Sequence, residues 1–319
     1  MAPFFDSVLG AIGNTPLVAL DRLTGGRDGG ARILAKLEFF SPGGSVKDRA
    51  ALNMLEEAEK SGRLRPGQMV VELTSGNMGI GLAVACAVKG YRFTAVMSEG
   101  NSSERWRVMK ALGAKVVLVP QTEGGVPGKV TGEDLALVEK KARQLVRRYG
   151  AFRVDQFNNP ANPAAHRAST GEEIWRQTGG RVDCFVAIAG TAGTFVGTAG
   201  ALKGHNPELK CFVVEPVGAP VLAGKRVTSQ KHKIQGTGYA LVPKVWDPSL
   251  CDGYLTVTDS EAVGAARRLA SREGILTGFS GGANVAASLK LSKRLPKGAT
   301  IVTIIPDTGL KYLSTDLFP

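Results

Sequence analysis

The sequence predicts an α/β fold with mostly parallel sheets, and three observations support this prediction. Apolar strand-like runs alternate with helical patterns almost throughout the chain. Runs such as Val116-Val-Leu-Val119 and Ile301-Val-Thr-Ile-Ile305 show no alternation of polar and apolar residues, as expected of strands that are buried on both faces. The hydrophobic fraction of 43% is that of a globular protein. Alternating strands and helices imply parallel strands joined by right-handed crossovers.

The first half of the chain contains strand and helix patterns in pairs. The predicted pairs are 32–37 with 48–60, 69–73 with 80–89, 93–97 with 103–112, and 115–119 with 133–149. A short strand is predicted at 152–154, and the turn-rich stretch 158–163 after it indicates a domain boundary. Residues 121–132 are predicted to form a long glycine-rich loop. Such a loop is either a functional lid or a mobile segment without a function.

The second half repeats the alternation with longer connections. Strands are predicted at 182–189, 209–214 and 300–305, and helices at about 194–203, 260–273 and 282–294. No internal repeat of fixed period is present. A length of 319 residues allows either two lobes or one large domain.

The most informative motif is Ser41-Pro-Gly-Gly-Ser-Val-Lys47, because it brings a lysine to a predicted helix N-terminus. The two glycines let the chain turn tightly, and Ser45 can cap the helix. The helix dipole and Arg49 should both disfavour the protonated amine, so that free amine is available for imine chemistry. Taken alone, the segment also fits a solvated lysine at the start of an ordinary helix.

Three glycine-rich turns accompany this lysine, and they are Thr74-Ser-Gly-Asn-Met-Gly79, Gly190-Thr-Ala-Gly-Thr194 and Gly278-Phe-Ser280-Gly-Gly-Ala283. The first two follow strands and open helices, an arrangement that directs backbone N–H groups and a helix dipole at an anion. The third places a hydroxyl at the start of a helix. Together with one lysine they indicate a lysine-bound, phosphate-bearing cofactor, and pyridoxal phosphate fits. A dinucleotide site is less favoured, because residues 190–197 lack a clean G-x-G-x-x-G and lie mid-chain.

Composition argues against several other classes. The four cysteines are far apart with no C-x-x-C, which disfavours a zinc site or a disulfide framework and favours a reduced, cytoplasmic setting. No apolar run approaches the roughly 20 residues of a membrane span, and the N-terminus lacks a signal-peptide pattern. None of the three histidines lies in a metalloprotease or nucleophile-elbow context, and His166 is interpreted as structural. We therefore expect no metal and no membrane partner.

The net charge of +12 raises the question of nucleic-acid binding. The basic residues are dispersed along the chain, no recognised nucleic-acid module is present, and aromatic residues make up only 6%. A basic balance also suits an enzyme whose cofactor and amino-acid substrate are anionic. The prediction is an enzyme without a nucleic-acid partner.

The motifs as a set resemble the cysteine synthase (O-acetylserine sulfhydrylase) family, pyridoxal-phosphate enzymes of fold type II. The resemblance covers nearly the whole chain in the family's order. It is seen in Gly13-Asn-Thr-Pro-Leu17, Leu37-Glu38, Ser45-Val-Lys-Asp-Arg49, Thr74-Ser-Gly-Asn77, Gln156-Phe-Asn-Asn-Pro-Ala-Asn-Pro163, Gly190 to Thr194, His232-Lys-Ile-Gln-Gly236, Glu273-Gly-Ile-Leu276 and Pro306-Asp-Thr-Gly309.

The resemblance implies an α/β protein of two lobes, each a mostly parallel twisted sheet flanked by helices, as in the tryptophan synthase β-subunit. Residues 1–40 and 158–319 would form the larger, cofactor-binding domain. Residues 41–157 would form a smaller, mobile domain on the substrate side, and the active site would lie in the cleft between the two. The resemblance also implies a homodimer.

The resemblance assigns the cofactor contacts residue by residue. Lys47 would form the Schiff base and act as the catalytic base and acid, and Asn77 would bind the phenolic oxygen of the cofactor. The phosphate would be bound by Gly190, Thr191, Ala192, Gly193 and Thr194, and Gly236 would line the cofactor. The family more often has glycine at Ala192, where a methyl group is tolerable if φ is negative.

Ser280 matches the residue that faces the pyridine nitrogen. A neutral hydroxyl can donate to an unprotonated nitrogen, whereas a carboxylate would keep that nitrogen protonated. An unprotonated ring is a poorer electron sink and favours prompt loss of a leaving group from Cβ, which gives an aminoacrylate. The chemistry predicted is therefore β-replacement or β-elimination, with transamination and racemisation disfavoured.

The substrate carboxylate would be bound by the turn that contains Thr74, Ser75, Gly76 and Met78, with Gln156 as a further polar contact. The family commonly has threonine at Met78, and a thioether cannot donate a hydrogen bond, so that only the backbone amide would remain.

The default reaction is that of O-acetylserine with sulfide, giving cysteine and acetate. One alternative is a β-eliminating lyase of the cysteine desulfhydrase or serine/threonine dehydratase type. Others use a different donor or acceptor, as in the cystathionine β-synthase, cyanoalanine synthase and O-phosphoserine types, because Met78, Tyr239 and the 121–132 loop leave specificity open. A non-catalytic binding protein on this fold is disfavoured by the intact Lys47, Asn77 and Ser280.

Overall fold

The computed structural model describes residues 4–26, 30–74, 76–101, 103–125, 130–239 and 241–318. In chain order, the strands and helices are β1 (Leu17–Ala19), α1 (Asp21–Thr24), β2 (Arg32–Leu37), α2 (Lys47–Lys60), β3 (Val70–Leu73), α3 (Asn77–Lys89), β4 (Phe93–Ser98), α4 (Ser103–Ala111), β5 (Lys115–Val119), α5 (Gly132–Tyr149), β6 (Phe152–Arg153), α6 (Ala161–His166), α7 (Glu172–Thr178), β7 (Cys184–Ile188), α8 (Gly193–His205), β8 (Lys210–Pro216), β9 (Gly253–Val257), α9 (Asp259–Arg268), α10 (Phe279–Ser292) and β10 (Thr300–Ile305). Two π-helical segments, Arg167–Gly171 and Leu269–Glu273, follow α6 and α9.

The chain divides into two compact units. Unit 1 contains the described residues of 4–13 and 41–162, and unit 2 those of 14–40 and 163–318. The sequence-based division placed residues 1–40 with 158–319 and residues 41–157 apart from them. That assignment, with its separate roles and its mobile smaller part, stays a prediction.

Unit 1 is built on a parallel sheet with the strand order β5-β4-β3-β6. All residues of β3 and β4 are buried, which explains why these strands show no alternation in the sequence. One apolar core contains Met54 and Leu55 of α2 together with Ile80 and Leu82 of α3. Helix α5 contributes to a second core that includes Val71.

Unit 2 is built on a six-stranded sheet with the order β1-β2-β10-β7-β8-β9. Every neighbouring pair is parallel except β1 with β2, which is antiparallel. One core contains apolar residues of α9 and α10, and another those of α7 and α8. Helices α9 and α10 pack so closely that a Cβ on Gly282 would clash with the Ala262 carbonyl oxygen.

The α/β fold class with mostly parallel sheets flanked by helices is confirmed. The strands predicted at 32–37, 115–119 and 300–305 have the same bounds in the structure. Strands β1 and β9 were not predicted. Among the described residues no helix has the length and apolar character that a membrane crossing requires.

Candidate functional site

Lys47 is the first residue of α2, as predicted. Gly44 has a positive φ of 68°, and the Ser45 hydroxyl accepts a hydrogen bond from the Lys47 backbone N–H at 3.3 Å. Burial lowers the pKa of the Lys47 amine from 10.5 to about 8. The predicted direction of this shift is confirmed, but its cause is desolvation of the charge rather than the helix dipole and Arg49.

A second buried lysine has a different environment. Nζ of Lys36 donates to the Thr15 carbonyl oxygen at 2.7 Å, to Glu173 Oε2 at 2.6 Å and to Gln177 Oε1 at 2.9 Å. These three acceptors use all three of its N–H groups. Lys36 therefore has a structural role, and the amine of Lys47 differs from it in its lowered pKa.

The turn between β3 and α3 brings the predicted substrate residues together. The Thr74 hydroxyl accepts from the backbone N–H of Gly76 at 3.2 Å and of Gly79 at 2.8 Å. Gly76 has a φ of 145°, a conformation open to glycine alone. Asn77 begins α3 and is partly exposed. Ser75 lies outside the described residues.

Met78 is buried, and its side chain belongs to the apolar core of unit 1. The thioether is therefore used for packing, and the expected contribution of this residue is reduced to its backbone. Sequence reasoning missed Arg105 of α4, which is also buried beside this turn. A Cβ on Gly76 would lie 2.5 Å from Arg105 Cδ, so that a side chain at residue 76 would meet this arginine in addition to an unfavourable φ.

Gln156 is held close to the end of β3. The side-chain Nε2 of Gln156 donates to the Leu73 carbonyl oxygen at 2.9 Å. The backbone carbonyl oxygen of Gln156 accepts from Asn162 Nδ2 at 2.8 Å. Sequence reasoning also missed Glu72, whose carboxylate accepts from the backbone N–H of Asp155 at 2.8 Å. Nothing in the local sequence predicts this contact, because the partners are far apart along the chain.

The predicted phosphate residues lie where β7 leads into α8. Gly193 is the first residue of α8 and Ala192 is its N-cap. A Cβ on Gly190 would clash with the carbonyl oxygen of Gly236, which has a φ of 84°. The structure therefore brings Gly190 and Gly236 into contact, and only glycine allows so close an approach.

Ala192 has a φ of 63° and a ψ of −11°, in the left-handed region. The condition of a negative φ is thus not met. The methyl group is tolerated at a cost in conformational energy. The left-handed turn at a helix start is typical of anion-binding loops, because it points successive backbone N–H groups to one side.

His166 contacts this loop, which sequence reasoning did not anticipate. Its Nε2 lies 3.3 Å from Thr194 Oγ1, and its Nδ1 lies 2.9 Å from Thr170 Oγ1. The imidazole is completely buried. It connects the Thr194 hydroxyl with the π-helical segment after α6.

Ser280 is the second residue of α10, and 9% of its surface is exposed. The chain before it fits tightly against the 307–312 segment, since a Cβ on Gly278 would lie 2.6 Å from Asp307 Oδ1. Asp307 in turn accepts a hydrogen bond from the Tyr312 hydroxyl at 2.7 Å. This packing places the Pro306-Asp-Thr-Gly309 motif against the start of α10.

The cysteines are unsuited to nucleophilic chemistry near neutral pH. Burial raises the pKa of Cys86 to about 12, of Cys184 to about 11 and of Cys211 to about 12. All four cysteines are free thiols. Within the described ranges, no group of three or more His, Cys, Asp or Glu side chains could hold a metal ion.

Each unit, taken by itself, contains groups that fit a part of pyridoxal phosphate. Unit 1 contains the Lys47 amine, whose pKa is about 8 and which suits an aldehyde. Unit 2 contains a helix start suited to a phosphate and, at Ser280, a neutral hydroxyl suited to a ring nitrogen.

Comparison with known proteins gives a consistent result. The model of the pyridoxal-phosphate dependent enzyme family matches residues 8–307. Cysteine synthase from Staphylococcus aureus is 41% identical over 314 residues, which is 98% of this chain and 97% of that protein. The solved structure of an O-ureido-L-serine synthase has 42% identity and a TM-score of 0.89, covering 99% of this chain and 96% of that one. A hydrogen sulfide-producing enzyme from Fusobacterium nucleatum has 40% identity and a TM-score of 0.89, covering 97% and 100%.

Proposed function

Because the chain belongs to the cysteine synthase family of pyridoxal-phosphate-dependent enzymes, we propose that it replaces the β-substituent of O-acetylserine with sulfide, releasing L-cysteine and acetate. It is a β-replacement enzyme that requires pyridoxal phosphate. The observation on which the proposal depends is the buried amine of Lys47, whose pKa is lowered to about 8.

The cofactor, when bound, withdraws electrons from Cα of the amino acid and makes loss of a β-substituent possible. Lys47 would hold the cofactor through the lysine amine, and Asn77 would bind the phenolic oxygen of the cofactor. The backbone of residues 190–194, the hydroxyls of Thr191 and Thr194, and Gly236 would hold the phosphate end and the ring.

Lys47 would also move the proton of Cα. An amine with a pKa of about 8 is partly unprotonated near neutral pH, so Nζ can accept a proton and return it without a large driving force against either step. The Ser280 hydroxyl would donate a hydrogen bond to the ring nitrogen and keep its own proton, which leaves that nitrogen uncharged.

The turn from Thr74 to Met78 would bind the substrate carboxylate. Backbone N–H groups at a helix start and the Thr74 hydroxyl are suited to an anion. Ser75 and Gly76 belong to the same proposed contact, Met78 would contribute its backbone N–H, and Gln156 would donate from its amide. The family resemblance supports these roles, and so does the geometry of those members of the set that the structure describes.

A second candidate is β-replacement with a different nucleophile. It is favoured by 42% identity to the O-ureido-L-serine synthase, whose name indicates a product other than cysteine. Net β-elimination is a third possibility, favoured by the relative described as hydrogen sulfide-producing. All three reactions use the residues named above and differ in what reaches Cβ.

The test is an absorbance spectrum of the cofactor-loaded protein before and after addition of O-acetylserine without a nucleophile. A lasting change in the cofactor band that sulfide reverses, with cysteine as product, is the expected result. Pyruvate formed without sulfide would identify the eliminating reaction. An unchanged band would refute O-acetylserine as the donor.

We further propose that the enzyme works as a cytoplasmic homodimer, which rests on the family resemblance alone. Light scattering of the holoenzyme should give twice the mass of the chain, and fractionation of the source cells should recover it with the cytoplasm. A monomeric mass would contradict the first statement.

A further inference from the structure

Glu72 is a completely buried carboxylate in β3 that has donors on three neighbouring residues. Its Oε2 accepts from the backbone N–H of Asp155 at 2.8 Å and pairs with Arg153 Nε at 3.2 Å. Its Oε1 accepts from the backbone N–H of Gln156 at 3.4 Å. A carboxylate is tolerated in a protein interior only when such donors satisfy it. The 153–156 segment therefore has a fixed position over Glu72.

The 153–156 segment contains one residue in an unfavourable backbone conformation. Asp155 has a φ of 56°, which non-glycine residues adopt rarely and at a cost. The next residue, Gln156, is held through its side chain by the Leu73 carbonyl oxygen, directly after Glu72 in the strand. Glu72 thus holds the main chain of Gln156, and the side chain of Gln156 reaches the start of the 74–79 turn.

We propose that Glu72 is a positioning residue for the amino-acid substrate, because it fixes the main chain at Asp155 and Gln156 and thereby the Gln156 amide. This inference rests on the proposed function, in which Gln156 and the 74–79 turn bind the substrate carboxylate. Glu72 itself touches neither substrate nor cofactor in this proposal.

Burial of Glu72 gives its hydrogen bonds to the 153–156 segment a pH dependence. Burial raises the pKa of Glu72 to about 7, against the opposing effects of Arg153 and the two backbone N–H groups. The charges that face it are Arg153 and Asp155, and Arg153 also pairs with Glu139 of α5 at 2.8 Å. Glu139 in turn pairs with Arg143.

Protonation of Glu72 has two opposite effects. Since its pKa in the folded protein lies above the usual 4.5, protonation favours the folded chain as the pH falls from 7 towards 4.5. It also removes the charge that strengthens the hydrogen bonds from Asp155, Gln156 and Arg153. Substrate affinity should therefore decline below pH 7 while the fold persists.

The test compares Glu72→Gln with Glu139→Gln in the holoenzyme. Glu72→Gln should raise KM for the amino-acid donor about tenfold or more with little change in kcat, because a neutral amide cannot accept from all three donors. It should also remove the change in KM near pH 7. Glu139→Gln removes the other carboxylate that pairs with Arg153, but it leaves the hydrogen bonds of the Asp155 and Gln156 N–H groups in place. KM should therefore stay within about twofold of the wild-type value. An unchanged KM in Glu72→Gln, or an equal rise in both variants, would overturn the proposal.

Two further measurements separate positioning from a general structural effect. In a Gln156→Ala background, Glu72→Gln should raise KM no further, and an undiminished rise would show that Glu72 does not act through Gln156. Hydrogen–deuterium exchange of the peptide over residues 152–160 in the cofactor-free protein should be faster in Glu72→Gln and unchanged in Glu139→Gln. Equal exchange in all three proteins would refute the positioning of this turn.

The exchange measurement does not depend on the reaction. If the wild-type holoenzyme did not turn over O-acetylserine, the proposed function would fail while the exchange result would still stand. Equilibrium dialysis of labelled L-serine would then replace KM, with the same ratio expected between the two variants. Equal affinities of Glu72→Gln and wild type would refute the substrate role of Glu72.

Discussion

The two buried lysines show how surroundings decide the chemistry of one residue type. Lys36 donates to a carboxylate, an amide and a carbonyl oxygen, and its charge is used to hold Glu173. For Lys47, in contrast, burial lowers the pKa of the amine. Loss of water around the charge disfavours the protonated amine. A lysine has to lose this proton before it can form a Schiff base.

The shifted pKa of Lys47 implies that its charge destabilises the cofactor-free protein. Its pKa is about 8 in the folded chain and 10.5 in the reference state, so the unfolded chain binds more protons between these values. The free energy of unfolding should consequently rise with pH over this window. Lys47→Met should stabilise the cofactor-free protein at pH 7 by up to about 3 kcal/mol, and the gain should shrink towards pH 10.5.

Urea unfolding at several pH values measures this gain, with Lys36→Met as the control. Removing Lys36 leaves Glu173 buried without its cation, which should cost about 3–5 kcal/mol. Opposite signs for two lysine-to-methionine changes are the expected result. A Lys47→Met protein no more stable than wild type at pH 7 would contradict the account of its pKa.

Ala192 is strained, because its φ of 63° lies in the left-handed region. Such a conformation costs a non-glycine residue about 1–2 kcal/mol, and glycine loses about 0.5–1 kcal/mol in chain entropy. Ala192→Gly should therefore stabilise the protein by up to about 1.5 kcal/mol in thermal or urea unfolding. Ala199→Gly, inside α8 and fully buried, should destabilise it. A loss of stability in Ala192→Gly would contradict the strain.

At the scale of elements, the start of α8 depends on the contact between Gly190 and Gly236. A methyl group at residue 190 would clash with the Gly236 carbonyl oxygen, and the backbone would have to move. We expect Gly190→Ala to weaken pyridoxal phosphate binding by at least about tenfold, because the proposed phosphate amides would be displaced. Titration of the cofactor-free protein, followed by absorbance, measures this.

The control for Gly190→Ala lies at the other end of the same helix. Gly204 has no atom within 4 Å of an added Cβ, so Gly204→Ala should leave cofactor affinity unchanged and slightly stabilise α8. Equal cofactor affinities in the two variants would show that the Gly190 turn does not hold the phosphate.

The sequence predicted those elements whose own residues determine them. Strands β2, β5 and β10 have the predicted bounds. For β10 the reason is burial, because consecutive apolar residues mark a strand inside a parallel sheet. The expectation that residues 116–119 are buried on both faces is wrong, because β5 lies at the edge of its sheet and none of its residues is fully buried. Strand β1 has only three residues, which is too short for any pattern, and its antiparallel pairing with β2 is a tertiary contact. The helices predicted to begin at 48 and at about 194 begin one residue earlier, at Lys47 and Gly193.

The candidate site was predictable only where a residue acts through its own chemistry. Lys47 was proposed from its residue type and position and Ser280 from the family resemblance, and both roles stay predictions. The roles of Glu72, Arg105 and His166 depend on partners far along the chain, and one sequence holds no signal for those contacts. The φ of Ala192 was equally hidden, since alanine itself favours a negative value.

At the scale of the whole molecule, the net charge of +12 acts on every anion that approaches. Pyridoxal phosphate carries a phosphate dianion near neutral pH, so a basic protein should attract it over a distance of about one Debye length, roughly 10 Å at 0.1 M salt. The dispersed basic residues make this a mean attraction by the whole surface.

The rate of cofactor uptake tests this attraction. At low cofactor concentration, the second-order rate constant for pyridoxal phosphate should fall on the order of tenfold between 0.01 and 0.5 M salt, because added ions screen the attraction. Pyridoxal, which has the same aldehyde and no phosphate, should show a much weaker dependence on salt. Equal salt dependence of the two would mean that salt acts on the protein or on imine formation, and that the positive charge has no part in capturing the cofactor.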